Sequence, residues 1–170
     1  MSRDFDAFEP YPEAADVWRY LEERFGMAPS LFGHHRLWWR KGGKREKPIW
    51  IAHEDCVLPK DMKVDWAGLM VMRQPPPRGF PTNVFLRRFG AAASRNVVDV
   101  GWDTALRLMY NHQIEHEPLD EKGGPYIIRS SRVVLGRGWV RKGRLVLETP
   151  KGWQNQLMPR TELAEVSEAP

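Results

Sequence analysis

Five cations crowd one stretch of the chain, VVLGRGWVRKGRLVLETPKGW (133–153): Arg137, Arg141, Lys142, Arg144 and Lys151. Like charges gathered this closely repel, and nothing in folding asks for them there. A polyanion gives them a use, and the commonest polyanion is a phosphate backbone. Trp153, at its end, supplies a ring on which a base can stack. The stretch reads as short strands and their turns. Val133–Leu135 is apolar, Gly136-Arg137-Gly138 breaks the pattern, and Trp139 and Val140 resume it. Arg141–Arg144 makes a basic turn, and Leu145–Leu147 is strand again. Gly143 suits a turn position with positive φ, which Lys142 or Arg144 would adopt only with strain.

The residues that usually signal catalysis or metal binding are poorly placed for it. His112 and His116 have helical i, i+4 spacing, but Glu115 precedes the second histidine and Pro118 ends the helix early, so the H-E-x-x-H frame is absent. His34 and His35 point to opposite faces of a strand. Cys56 is the sole cysteine, with no thiol partner and no evident base. No G-x-S-x-G elbow, phosphate-binding P-loop or dinucleotide fingerprint occurs. The expectation is a chain that is not an enzyme, with no catalytic residue, metal or cofactor.

Two more basic clusters invite the same reading. Trp38–Lys47, WWRKGGKREK, sets Arg40, Lys41, Lys44, Arg45 and Lys47 around Gly42-Gly43 beside two tryptophans. Such a loop can track phosphates and stack bases, although strand alternation sends at least one tryptophan to the core. Arg87 and Arg88 lie about 100° apart on a helix, so both can stay exposed to RNA. Arg95 reads as structural.

The elements that must position these residues form a mixed pattern. Ala14–Phe25 is an amphipathic helix with Val17, Leu21 and Tyr20 inward and Gly26 as its C-cap. Leu31–Trp39 and Pro48–Ala52 read as a hairpin, and Val64–Arg73 holds a third strand. Pro75-Pro76-Pro77 forces an extended crossing, and Pro81–Phe89 follows as a helix. Val97–Val100 is a strand. Asp103 caps a helix over Thr104–Asn111 that buries Leu106, Met109 and Tyr110. A polar loop covers Asn111–Gly124, and Tyr126–Arg129 and Arg132–Leu135 are strands.

Composition frames the rest. Of 170 residues 42% are hydrophobic, and eight are tryptophan, enough for a packed core. Asp4, Asp6, Glu9 and Glu13 against Arg3 give residues 1–13 a charge of −3, and Glu162, Glu165 and Glu168 give 161–170 another −3. The formal +4 of the chain therefore leaves +10 on the body between them. A basic body with acidic tails suits a polyanion binder. The polar N-terminus, the absence of a long apolar run and the single cysteine point to a cytoplasmic protein with no membrane partner.

Three motifs in order, Leu135-Gly136-Arg137-Gly138, Lys142-Gly143-Arg144 and Pro150-Lys151-Gly152, resemble the last strands of a PUA domain, an RNA-binding module. Upstream, FLRRFGAAASRNVVDV (85–100) resembles the junction between an α/β "pre-PUA" domain and a PUA domain. That pairing occurs in ribosome-biogenesis factors and at the C-terminus of some rRNA cytosine-5 methyltransferases. The resemblance covers roughly residues 15 to 158, and it is denser after Phe85. It implies an α+β fold: an acidic tail at 1–13, a pre-PUA-like α/β domain at 14–94, a small PUA-like β-pseudobarrel at 95–160 and an acidic tail at 161–170. It implies a non-catalytic RNA-binding protein, with rRNA, a ribosomal particle or an RNA-modifying enzyme as partner. Methyl transfer is no part of it, because 170 residues leave no room for the separate catalytic domain. The competing expectation is a protein-interaction module that docks a separate RNA-modifying enzyme.

Overall fold

The computed structural model describes residues 8–40, 47–59, 64–111, 113–116 and 123–148. Among them lie three α-helices and two β-sheets, a mixed α+β architecture. Helix α1 spans Ala14–Phe25, as its sequence predicts. Val17, Leu21 and Phe25 recur on one face and are fully buried. The helix stops at Gly26, whose left-handed φ of 65° turns the next N–H, that of Met27, back to the Leu21 carbonyl at 3.3 Å.

The first sheet runs in chain order: β1 (Phe8–Pro10), β2 (His35–Arg40), β3 (Ile49–His53) and β4 (Leu69–Met72), all antiparallel. The expected hairpin is β2–β3, with Leu37 opposite Ile51. Its first strand begins at His35 and not at Leu31, because Pro29–Phe32 closes a short helical turn. Strand β1 corrects the reading of 1–13 as a tail. Phe8 packs edge-on against Trp50 at 5.0 Å and Tyr11 against Trp39 at 5.8 Å, so this part of the segment has apolar area to bury. Both faces of the sheet are covered. Leu37, Ile49 and Ile51 join the main core, with Trp39 against it, and Trp38 and Trp50 form a second cluster with Ala67. Alternation with period 2 separates the two sets.

Helix α2 (Asn83–Phe89) starts two residues later than expected. Thr82 is its N-cap: its hydroxyl accepts from the Phe85 N–H at 3.2 Å and donates to the Met70 carbonyl at 2.5 Å. Pro81 instead bridges to Met72, which ties the helix start to β4.

The second sheet has the order β5-β7-β8-β9-β6, from β5 (Val97–Asp99), β6 (Gln113–Glu115), β7 (Tyr126–Ser130), β8 (Val133–Arg141) and β9 (Arg144–Glu148). Strand β5 runs parallel to β7, and the other pairs are antiparallel. Helix α3 (Trp102–Asn111) covers one face. Its buried residues are Ala105 and Leu108, not Leu106 and Tyr110, and Asp103 lies inside the first turn instead of capping it. Strand β6 occupies part of the expected polar loop. Among the described residues this sheet is open, and it does not close into the expected barrel.

Gly136-Arg137-Gly138 does not break the strand. β8 is continuous through it, and the irregularity is a bulge: Ile128 pairs with Gly136 and Arg129 with Val134, leaving Leu135 as the extra residue. Ile128 fills the space that a side chain on Gly138 would take. The halves expected as separate domains share one core, in which Val17, Leu21, Phe25, Phe85 and Leu86 pack with Ile127 and Val134. A Cβ at Gly138 would fall against Ile128 and 3.0 Å from the Val146 carbonyl oxygen. Gly138→Ala is expected to destabilise the fold by about 1–3 kcal/mol through overpacking, read as a lower urea midpoint at unchanged m-value.

Candidate nucleic-acid interface

The basic turn is a two-residue hairpin joining β8 and β9. Arg141 pairs with Arg144, and Lys142 and Gly143 form the loop with φ of 51° and 72°. Positive φ at both positions marks a type I′ turn, whose twist matches the strands. Lys142 thus takes the left-handed conformation expected for Gly143 alone, at a cost of about 1 kcal/mol. Arg141, Lys142 and Arg144 are all exposed, and none is ion-paired among the described residues. Glu115 lies opposite Arg144 in register, yet no ion pair joins them. Arg137, Trp139 and Arg141 alternate along β8, so they share one face. Both guanidiniums lie over the Trp139 ring, at 5.9 and 5.5 Å.

Arg137 has a different role from the turn residues. Its side chain is 16% exposed. Nε and Nη2 donate to the two carboxylate oxygens of Glu148, both at 2.7 Å, and Nη1 donates to the Pro81 carbonyl at 2.8 Å. Its backbone N–H donates to Asn83 Oδ1 at 2.6 Å, and the Asn83 amide donates on to the Glu148 carbonyl. These bonds rivet the start of α2 to β8 and β9. The fork holds the Glu148 carboxyl below its ordinary value; burial opposes this, and the Trp139 indole N–H adds to it.

Arg87 and Arg88 part company. Arg87 donates Nε and Nη2 to the Leu135 carbonyl at 3.1 and 2.9 Å, serving the carbonyl at the β8 bulge, and burial pushes its guanidinium down from its usual value. Arg88 is exposed and lies over Phe89, which contacts His35. The backbone N–H of Arg95 donates to the Phe25 carbonyl, while its side chain is exposed. Lys151 and Trp153 lie outside the described residues, as do Lys41, Lys44 and Arg45. The tryptophans flanking that loop are no free platform: Trp38 is buried and Trp39 packs on the main core.

Three histidines, His34, His35 and His53, gather at one end of the β2–β3 hairpin. His34 bonds Glu54 at 3.1 Å and stacks near His53, which faces Asp55 at 3.4 Å. Among the described residues no group of three or more His, Cys, Asp or Glu side chains is arranged to hold a metal ion. His116 follows β6 and lies outside any helix, so the helical i, i+4 pair does not form; His112 lies outside the described residues. No described helix is long and apolar enough to cross a membrane.

The sequence reading passed over a groove between the sheets, lined by Trp66, Arg73, Arg78 and Phe80 together with Arg137 and Glu148. The available signal was two arginines and a phenylalanine packed around three prolines, RQPPPRGF. No protein-family model matches the chain, and no curated protein matches it in sequence.

Two outcomes follow from the arginine contacts. Arg87→Ala should cost about 1–3 kcal/mol, because it strands the Leu135 carbonyl, whereas Arg88→Ala should stay within about 0.5 kcal/mol; paired urea titrations measure both. Because the folded carboxyl of Glu148 sits low, its contribution is fully present above the unfolded glutamate value of about 4.3 and is lost as pH falls through the lower folded value. The stability gap between wild type and Glu148→Gln should therefore be wide at neutral pH and shrink on acidification, as read by denaturation across a pH series.

Proposed function

We propose that the chain is a non-catalytic RNA-binding protein of the pre-PUA plus PUA kind, acting on rRNA or a pre-ribosomal particle or assisting rRNA modification. The observation that carries this reading is the β8–β9 tip. It holds three exposed cations, Lys142 in the two-residue turn and Arg141 and Arg144 flanking it, and none of them is ion-paired among the described residues. Like charges directly opposite one another, such as Arg141 and Arg144, destabilise a hairpin. A polyanion relieves that repulsion. Folded RNA offers little readable sequence in its helices, so shape and backbone contacts dominate its recognition. Arg141, Lys142 and Arg144 would contact phosphates, with Lys151, Trp153 and Arg88 as further contacts. Arg87 and Arg137 would hold the scaffold. The order of motifs after Phe85 supports the PUA comparison.

A second reading is docking of a separate RNA-modifying enzyme. It is favoured by Trp102, 61% exposed at the start of α3.

Binding of total rRNA across a salt series separates the two. The variant Arg141→Gln/Lys142→Asn/Arg144→Gln keeps the turn, since Asn suits the left-handed position. Wild type should bind with steep salt dependence, and the variant should lose about 2 from the log–log slope, at about 0.7 per phosphate contact on a single strand. Wild-type binding with no salt dependence, or unchanged slope in the variant, would overturn the phosphate mechanism.

A further inference from the structure

The groove between the sheets encloses about 800 Å³, within the range of about 300–1,000 Å³ usual for small-ligand sites. Trp66 stands in its lining with 77% of its surface exposed. This is not a ring on a loose tether. Arg40 donates to the carbonyls of Val64 and Asp65 just before it, and Ala67 just after it is buried between Trp38 and Trp50. The backbone is clamped on both sides while the indole is left in water, an unfavourable placement for so large an apolar surface unless something covers it.

The neighbouring chain segment is equally fixed. The Gly79 N–H donates to the Pro75 carbonyl at 2.9 Å, and a side chain on Gly79 would collide with the Gln74 backbone. That turn sets Arg78 and Phe80 on the groove. Arg78 is exposed and has no ion pair among the described residues. Phe80 packs edge-on against Trp139 at 5.1 Å. Among the described lining residues the one carboxylate is Glu148, and Arg137 neutralises it. Arg78 therefore leaves these lining residues with a net positive charge.

A planar ring in Trp66, a neutral amide in Gln74 and the guanidinium of Arg78 suit a nucleotide: a base to stack and a phosphate to pair. The groove also adjoins the basic tip. Arg137 lines it, and Arg141 lies four residues along the same face of β8, about 13 Å away at strand rise. A duplex keeps its bases stacked and paired, so only an unpaired segment can offer one to Trp66.

We infer that the groove is a base-stacking site for a single-stranded RNA segment whose backbone continues toward the Arg141–Arg144 tip. This rests on the RNA-binding reading above and adds the class of RNA and the residues that select it.

The test compares a short unstructured single-stranded RNA with a blunt-ended RNA duplex. The proteins are wild type, Trp66→Ala, Trp66→Phe, Arg78→Ala and the tip variant Arg141→Gln/Lys142→Asn/Arg144→Gln, each first shown to be folded by circular dichroism. Trp66→Ala should weaken single-strand binding about tenfold, as loss of one stacked base does, and leave duplex binding unchanged. Trp66→Phe should retain most of the affinity, and Arg78→Ala should remove about 0.7 from the single-strand salt slope. If the tip variant loses binding while Trp66→Ala matches wild type, or if Trp66→Ala weakens both probes equally, the groove inference is wrong and the RNA-binding reading stands. If wild type binds neither probe, both are wrong.

Discussion

Arg137 is the joint on which the arrangement turns. A guanidinium carries five donors in a rigid plane, and this one directs three of them at once: two to Glu148 on β9 and one to Pro81 at the entrance to α2. Aromatic rings of Phe80 and Trp139 lie alongside it. A lysine could match the charge but not the fork. Register between β8 and β9, the path of the chain leaving β4 and one side of the inter-sheet groove all meet at this side chain. Arg87 does the corresponding work one step along, where the bulge at Leu135 turns a carbonyl out of the ladder. Two arginines that look like surface charge in the sequence are thus the polar cement between helix and sheet.

The charged tip is stable because its support is apolar and sits below it. Leu145 and Leu147 are buried, and Val146 faces Trp139 across the ladder. Repulsion between exposed Arg141 and Arg144 is screened by water and salt, so the hairpin can carry it without losing register. The arrangement separates tasks: cations that hold the fold are buried and bonded to carbonyls or a carboxylate, and the tip cations reach into solvent.

Helix α1 and the β2–β3 hairpin were legible in the chain, because each has a strong period and a clear stop, Gly26 for the helix and the glycine-bearing loop for the hairpin. The failures have a common cause: the deciding partner is distant in sequence. Strand β6 has one apolar residue, Ile114, and is a strand because β9 offers it an open edge. The glycines of β8 look like breakers until Ile128 from β7 is seen to fill the space beside Gly138. Side by side on one helix, Arg87 and Arg88 differ only through the bulge that Arg87 meets. Trp66 gave no sign because exposure follows from the clamps at Arg40 and Ala67, neither of which a local pattern reveals.

The two sheets also differ in the order in which a growing chain can complete them. In the first, each strand pairs with its neighbours in sequence, so β1 to β4 can assemble as they appear. In the second, β5 waits for β7, and β6 pairs with β9, the last of the described strands. Until Glu148 has emerged from the ribosome, β6 and Arg137 lack the partners they have among the described residues, the β9 ladder and the Glu148 carboxylate. Among the described strands the basic hairpin therefore completes the second sheet, and a nascent chain halted before it would expose Ile127 and Ile128 along an unfinished edge.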